Sequence, residues 1–515
     1  MKIPILLLVL VLVLAAACGS SNVSPSPASP ASVAPGPAPS RPVARERLTP
    51  CTVEGIAEQL FCGTYSVWEN RTTRQGRKID LHIVMVPGLG NDLAPDPIFS
   101  FAGGPGDFAT NSARGWVEDH QIRAHRDIVL VDQRGTGSSH RLDCRLPKDP
   151  GDVQAYFEPT LPLTEVRRCR AELDQIADLT QYTTSIAADD IDEVRAWLGY
   201  DKINLEGGSY GTRAAQVYLR RHGDHVRTAT LTGVAGMEQY LPLFHARDGK
   251  RAVDLLFDTC AKTPACATAF PDLPVEHERV LAGLERERGR ATVTSPVDNH
   301  LVAVTIPRDI FAEQIRFALY NPNTASTVPY IIHRAAQGDF DPFARLAMLW
   351  EPLLRKFLAY GMHLSVTCAE DVPFIAPGAV EPAIAGTYLR GYRVLQQLAA
   401  CREWPRGNIP ADFHQPVTSD IPVLLVSGQY DPITPPRWAD QVAPHFTHGL
   451  QVLIPDGHHG NGGLSHPECI VGLLATFIER GTNAGLDTSC IATMKRPPFI
   501  TDATGFAALL KGDGG

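Results

Sequence analysis

No block of lysine and arginine interrupts the 515-residue chain, which carries 47 basic against 56 acidic residues and a formal charge of -9. Nucleic-acid binding needs a cationic stripe to displace phosphate counterions, so no nucleic-acid partner is expected. Long apolar runs are equally scarce. The longest, Ile3 to Ala17, is shorter than the roughly 20 residues a helix needs to cross a bilayer, which excludes a multi-span membrane protein. There is no C-x-x-C pair and no clustered Cys/His spacing, so no metal site is expected. The glycine-rich segments lack a P-loop lysine and the G-x-G-x-x-G spacing, so no nucleotide cofactor is expected either. No internal repeat is visible. The 44% hydrophobic and 20% charged content is that of a soluble globular protein, long enough for one large domain with an insertion or for two or three ordinary ones.

The N-terminus carries Met1-Lys2, the short apolar run and then Ala15-Ala16-Ala17-Cys18. One positive charge, a short apolar core and small residues make 1–17 a secretory signal peptide. A cysteine directly after the small residues resembles the lipobox of bacterial lipoproteins, with Ala15 in the place usual for leucine. That resemblance implies acylation of Cys18 and attachment to a membrane facing the periplasm or cell exterior; the other reading is simple secretion. Residues 18–45 read as a Ser/Pro/Ala tether with too little apolar content to fold. Without Cys18, ten cysteines remain: Cys51, Cys62, Cys144, Cys169, Cys260, Cys266, Cys368, Cys401, Cys469 and Cys490. An even number in an exported chain implies five disulfides. Connectivity is left open by the sequence, and pairing each cysteine with its neighbour in this series is the simplest choice.

From Lys78 onward, apolar runs bounded by turn residues recur at Ile79–Val86, Ile98–Phe101, Asp127–Val131, Lys202–Leu205 and Val226–Leu231. Between them, Ile191, Val194, Trp197 and Leu198 fall on one helical face, and the aspartates of that segment sit early, where the helix dipole favours them. Strands alternating with helices predict an α/β protein with a mostly parallel sheet covered on both faces. From Gly236 to about Phe413 the pattern turns helical, and strands return at Pro422–Ser427 and Leu450–Ile454. The expected organisation is a sheet domain over 46–235 and 416–515, interrupted by a helical cap over 236–415.

The chemistry centres on Gly207-Gly208-Ser209-Tyr210-Gly211, between an apolar run and a helical segment. A G-x-S-x-G turn from strand to helix lifts a serine hydroxyl above the sheet, and its glycines avoid clashes with the adjoining elements. Such a nucleophile needs an acid and then a base later in the chain. Asp431, in the loop after one late strand, supplies the carboxylate. The base comes from Gly457-His458-His459-Gly460 after the other; the distance from Pro455-Asp456 favours His459, with His458 as the alternative. An oxyanion hole needs backbone N–H groups. Tyr210 supplies one and Gly104, or Gly103, of Phe101-Ala102-Gly103-Gly104-Pro105-Gly106 the other.

Ala102–Gly106, Asp132-Gln133-Arg134-Gly135-Thr136-Gly137-Ser138 and Gly207–Thr212 resemble the signatures of prolyl iminopeptidases and tripeptidyl aminopeptidase-like (TAP-like) α/β-hydrolases. The region holding Asp431, the histidine pair and Cys469…Cys490 is similar to the C-terminal part of the tripeptidyl aminopeptidases. Ala102 replaces the histidine common in the first motif, and His458 stands where glycine usually precedes the base. The resemblance spans about residues 50–500 and implies the α/β-hydrolase fold, a helical cap and exopeptidase action on peptides with a free N-terminus. An aminopeptidase must hold a substrate ammonium with carboxylates; Glu370 and Asp371, beside a cysteine as in the similar family, are the candidates, with Glu238 and Glu206 further ones. The Asp132–Ser138 stretch reads as a buried carboxylate–arginine support. The chain is read as a monomer. A carboxylesterase or lipase-like hydrolase uses the same triad, and a non-catalytic peptide-binding lipoprotein is the reading from another class.

Overall fold

Val-, Ile- and Leu-rich runs pair into a nine-stranded sheet in the computed structural model, which describes residues 44–146 and 149–511. In chain order the strands are β1 (Thr49–Cys51), β2 (Leu60–Trp68), β3 (Lys78–Val86), β4 (Ile98–Phe101), β5 (Ile128–Val131), β6 (Ile203–Gly208) and β7 (Val226–Thr232). A separate hairpin follows, β8 (Gly289–Thr294) and β9 (Leu301–Ile306), and then β10 (Ser419–Gly428) and β11 (Phe446–Ile454). The spatial order is β1-β2-β3-β5-β4-β6-β7-β10-β11. β1, β2, β3 and β5 run antiparallel in turn, and every pairing from β5 to β11 is parallel.

Alternation along the strands decides which face each side chain takes. Leu81, Ile83 and Met85 of β3 enter one core and Val84 and Val86 the other; Val423 and Leu425 of β10 are set against Leu424 and Val426 in the same way. A sheet apolar on both faces must be covered on both, and helices Thr184–Trp197, Tyr210–His222 and Glu468–Arg480 contribute to the covering layers.

The chain between β7 and β10 forms the helical insertion, with its own core around Leu256, Phe311, Ile332 and Phe343. Val153 and Phe157 from before the insertion, and Phe499 and Phe506 from the C-terminal end, pack into this core as well. The insertion is not wholly helical, unlike the reading from sequence. β8 buries every second residue, Gly289, Ala291 and Val293, and pairs antiparallel with β9; its polar residues at Arg290, Thr292 and Thr294 hide that alternation in a stretch without a long apolar run. β2 also escaped the sequence reading: Gly63, Thr64 and Ser66 dilute its apolar content, yet it pairs with β3 from Phe61↔Met85 to Trp68↔Lys78.

Disulfides join Cys51–Cys62, Cys144–Cys169, Cys260–Cys266, Cys368–Cys401 and Cys469–Cys490. The expected signal peptide, Cys18 and the expected tether as far as residue 43 lie outside the described residues. Ala44 and Arg45, expected to end the tether, instead belong to a short helix, with Ala44 buried and Arg45 2.8 Å from Asp127. No helix among the described residues is long and apolar enough to cross a membrane.

Candidate active site

Ser209 stands between β6 and the helix Tyr210–His222 with φ 56° and ψ -125°. A non-glycine residue with positive φ is strained and is held there by its surroundings. The outer glycines of the turn, Gly207 and Gly211, have no room for a side chain. A Cβ on Gly211 would lie 2.0 Å from the Phe101 carbonyl oxygen, and one on Gly207 would lie 2.5 Å from that of Gly211. The Ser209 N–H donates to Thr232 across the sheet (2.9 Å), and Thr212 Oγ1 donates to the Ser209 carbonyl (2.6 Å). The turn is thereby tied to both the strand and the helix it joins.

Asp431 is fully buried in the loop after β10, where its Oδ1 accepts the amides of Ile433 and Thr434, each at 2.8 Å. Its Oδ2 lies 2.8 Å from Nδ1 of His459, in the loop after β11. Burial pushes the carboxyl up, but the imidazole and the donated amides outweigh it and hold Asp431 below the usual aspartate range, as a carboxylate. Thr434, which sequence reasoning missed, donates its hydroxyl to Asp431 Oδ2 at 2.8 Å and lies 3.0 Å from His459 Nδ1. With the proton on Nδ1, His459 presents Nε2 as an acceptor, and the ring borders the same cavity as Ser209.

His458 faces away from this pair. It is buried, its Nδ1 meets the Leu319 carbonyl at 2.7 Å, and its ring stacks on Tyr430 at 5.3 Å. Burial lowers its pKa to about 4, so it is a neutral donor to the insertion. The Gly460 N–H adds a bond to the Tyr320 carbonyl (2.8 Å), and Tyr320 meets the His459 ring edge-on at 4.8 Å. The insertion thus braces the loop that carries His459.

Gly103 and Gly104 border the cavity beside Ser209, and a Cβ on Gly103 would lie 3.3 Å from the Ser209 Cβ. Tyr210 is the first residue of its helix, so its amide has no carbonyl one turn earlier to bond. These placements suit the two expected oxyanion donors.

The carboxylates expected to hold a substrate ammonium are elsewhere. Glu370 is buried against the start of helix Thr184–Trp197, where it accepts the Thr184 N–H (2.6 Å) and hydroxyl (2.7 Å), and Thr184 Oγ1 in turn lies 2.5 Å from the Tyr210 hydroxyl. It caps one helix and steadies Tyr210, the residue after Ser209. Asp371 is buried against Arg213 of the elbow helix at 2.7 Å and accepts the Leu241 N–H at 2.9 Å. Glu238 is exposed, and Glu206 accepts from Ser100 Oγ at 2.7 Å. None of the four borders the cavity around Ser209. In the Asp132–Ser138 stretch, Arg134 pairs with Asp190 (2.5 and 2.9 Å) rather than with Asp132, whose oxygens accept from Thr110 and the Ser138 amide.

The cavity encloses about 480 Å³ between the elbow and the insertion. Its wall is largely apolar, with Leu241, Phe317, Leu354, Phe357 and Ile433, and it carries three carboxylates, Asp107, Glu313 and Glu351. Arg316 chelates Glu313, and Arg355 and Gln314 bind Glu351. Asp107 Oδ1 accepts the Phe108 N–H at 2.8 Å and the Asn111 side-chain amide at 3.4 Å, and the carboxylate forms no ion pair among the described residues. Burial raises its pKa above the ordinary aspartate value. Nothing in the sequence marked Asp107, because its role depends on which cap residues face it.

A nucleophile on a strand-to-helix elbow, followed in chain order by an acid and a base on loops after later strands of a parallel sheet, defines an α/β-hydrolase. The chain has that fold: residues 82–262 match the α/β hydrolase fold model, and residues 388–490 match the model of the TAP-like proteins. It is similar to the serine protease Hip1 of Mycobacterium tuberculosis, 26% identical over 474 residues that cover 86% of this chain and 90% of that protein. It is also similar to the tripeptidyl aminopeptidase of Streptomyces lividans, 29% identical over 198 residues (35% of this chain, 36% of that protein). A crystal structure of proline iminopeptidase from Mycobacterium smegmatis aligns with a TM-score of 0.40 and 15% identity, over 81% of this chain and 98% of that one.

Proposed function

We propose that this protein is an exported serine peptidase that removes residues or short peptides from a free N-terminus. The observation that carries the reading is the 2.8 Å contact of His459 with buried Asp431, on a cavity shared with the strained Ser209 and roofed by the insertion. Ser209 Oγ attacks the peptide carbonyl while His459 Nε2 takes its proton, and the Gly104 and Tyr210 amides hold the oxyanion. His459 then gives the proton to the departing amine, and water, activated by the same imidazole, releases the acyl group. Asp431 keeps the imidazole in the tautomer this requires. Asp107 is the carboxylate left open for the substrate ammonium, in place of Glu370 and Asp371. The names of the similar peptidases support the substrate class. Five disulfides support an oxidising compartment, and a lipid on Cys18 is the proposed anchor.

The test compares matched Ala-Ala-Pro amides and esters with free and blocked amines, alongside fluorophosphonate labelling. Labelling that disappears in Ser209→Ala, and amides cleaved about tenfold or more faster with a free amine, are expected from one charge-assisted bond to the ammonium. Blocked esters cleaved as well as free-amine amides would point to a carboxylesterase, which the apolar cavity wall would also suit. No labelling would overturn catalysis itself.

A further inference from the structure

One wall of the cavity holds more cationic donors than its carboxylates can satisfy. Arg316 gives both sides of its guanidinium to Glu313, at 3.1 and 2.6 Å, and its remaining nitrogen lies 3.2 Å from the Tyr320 hydroxyl. That pair is complete. Arg355 and Gln314 complete Glu351 in the same way. Arg393, at the start of helix Tyr392–Glu403, is a third guanidinium beside these two carboxylates. Its nearest carboxylate oxygen is Glu313 Oε1 at 3.6 Å, already taken by Arg316, and its Nε is buried without a hydrogen-bond partner. His245, which begins the helix His245–Lys262, borders the same cavity with both ring nitrogens buried and unpartnered. Burial, then Arg316 and Arg393, hold its pKa well below the ordinary value, so it stays neutral and offers one N–H.

The Arg393 side chain is about one-fifth exposed and shares Glu313 with Arg316, but buried polar atoms without hydrogen-bond partners, as its Nε and both His245 ring nitrogens are, are rare. A water molecule would satisfy a donor but would leave three guanidinium charges on this wall against two carboxylates. We infer that Arg393 and His245 form a subsite for an anionic group of the substrate, a carboxylate such as a glutamate or aspartate side chain near the peptide N-terminus. The choice of a peptide carboxylate rests on the proposed function; the demand for an anion does not. A carboxylate offers two oxygens in a plane, one for the guanidinium and one for the imidazole N–H. The same wall would repel a lysine side chain and would keep the ammonium at Asp107.

Binding is measured by calorimetric titration of full-length Ser209→Ala protein, so that no turnover is needed. The probes are free-amine alanine tetrapeptides with one glutamate at the first, second or third position, and their glutamine and lysine counterparts. A glutamate peptide is expected to bind about tenfold tighter than its glutamine counterpart at one position, with the lysine peptide weakest. Adding Arg393→Gln should bring that ratio to about one, Arg393→Lys should keep part of it, and His245→Phe should reduce it. Melting curves of each variant separate loss of the subsite from loss of the fold, and the His245→Phe ratio decides the matter if Arg393→Gln does not fold. Equal binding of glutamate and glutamine peptides at every position, or a ratio unchanged by Arg393→Gln, overturns the subsite. Preferential binding of a glutamate peptide that the active protein never cleaves would instead overturn the peptidase reading and leave the subsite standing.

Discussion

His458 and His459 are chemically identical neighbours that the fold sends to opposite tasks. One ring bonds the Leu319 carbonyl and the other Asp431. His459→Ala should abolish fluorophosphonate labelling, whereas His458→Phe should keep it and lower stability by about 1–3 kcal/mol through the unpaired Leu319 carbonyl; labelling and melting of the two variants are the check. Asp431→Asn is expected to reduce kcat by about 10³- to 10⁴-fold, because an amide there no longer enforces the Nδ1–H tautomer. Thr434→Val should have a smaller effect, since it removes one of four hydrogen bonds to Asp431. At this scale the sequence was most legible where a residue is tied to the end of its own strand, as Ser209, Asp431 and His459 are. Glu370 was not legible, because a carboxylate serves a substrate or a helix N-terminus according to what lies opposite, and here that is Thr184, 186 positions away.

Among the elements, the elbow depends on close packing of β4, β6 and the following helix. Gly211→Ala would place a Cβ 2.0 Å from the Phe101 oxygen. The expected result is loss of soluble protein or destabilisation by more than about 3 kcal/mol, read by expression and melting. The Cys368–Cys401 bond closes 33 positions between helices Tyr360–Glu370 and Tyr392–Glu403, which carry His363 and Arg393 to the cavity wall. The paired change to alanine should cost about 2–4 kcal/mol and weaken substrate binding as well. The strands β4, β5 and β10 were legible because each carries a near-continuous apolar run, as burial on both faces requires. The β8–β9 hairpin was not: β8 is apolar only at every second residue, and β9 is a short isolated run inside a helical stretch.

For the molecule as a whole, buried carboxylates link stability to pH. Burial pushes Glu206 up to about 7, with Ser100 as its hydrogen-bond partner. Between its ordinary value of 4.5 and 7, the folded chain holds a proton that the unfolded chain has released, so this group lowers stability as pH rises through that window. Glu206→Gln should therefore melt at a higher temperature than the parent at pH 8 and at about the same temperature at pH 4. Equal differences at both pH values would show that the carboxyl is not the cause.

Local chemistry is written in the chain: a glycine-flanked serine, acid and base in order, apolar runs of strand length, and cysteines that pair with their neighbours. Each of these depends on residues close in sequence or on the end of a strand. What faces the substrate was decided only by the tertiary structure. The cavity is assembled from β-strand loops and from insertion helices far along the chain, and whether a charge there is spent or free depends on long-range pairing. Glu313 and Glu351 are paired with arginines, Glu370 and Asp371 are turned inward, Asp107 has hydrogen bonds but no ion-pair partner among the described residues, and Arg393 keeps an unpartnered Nε.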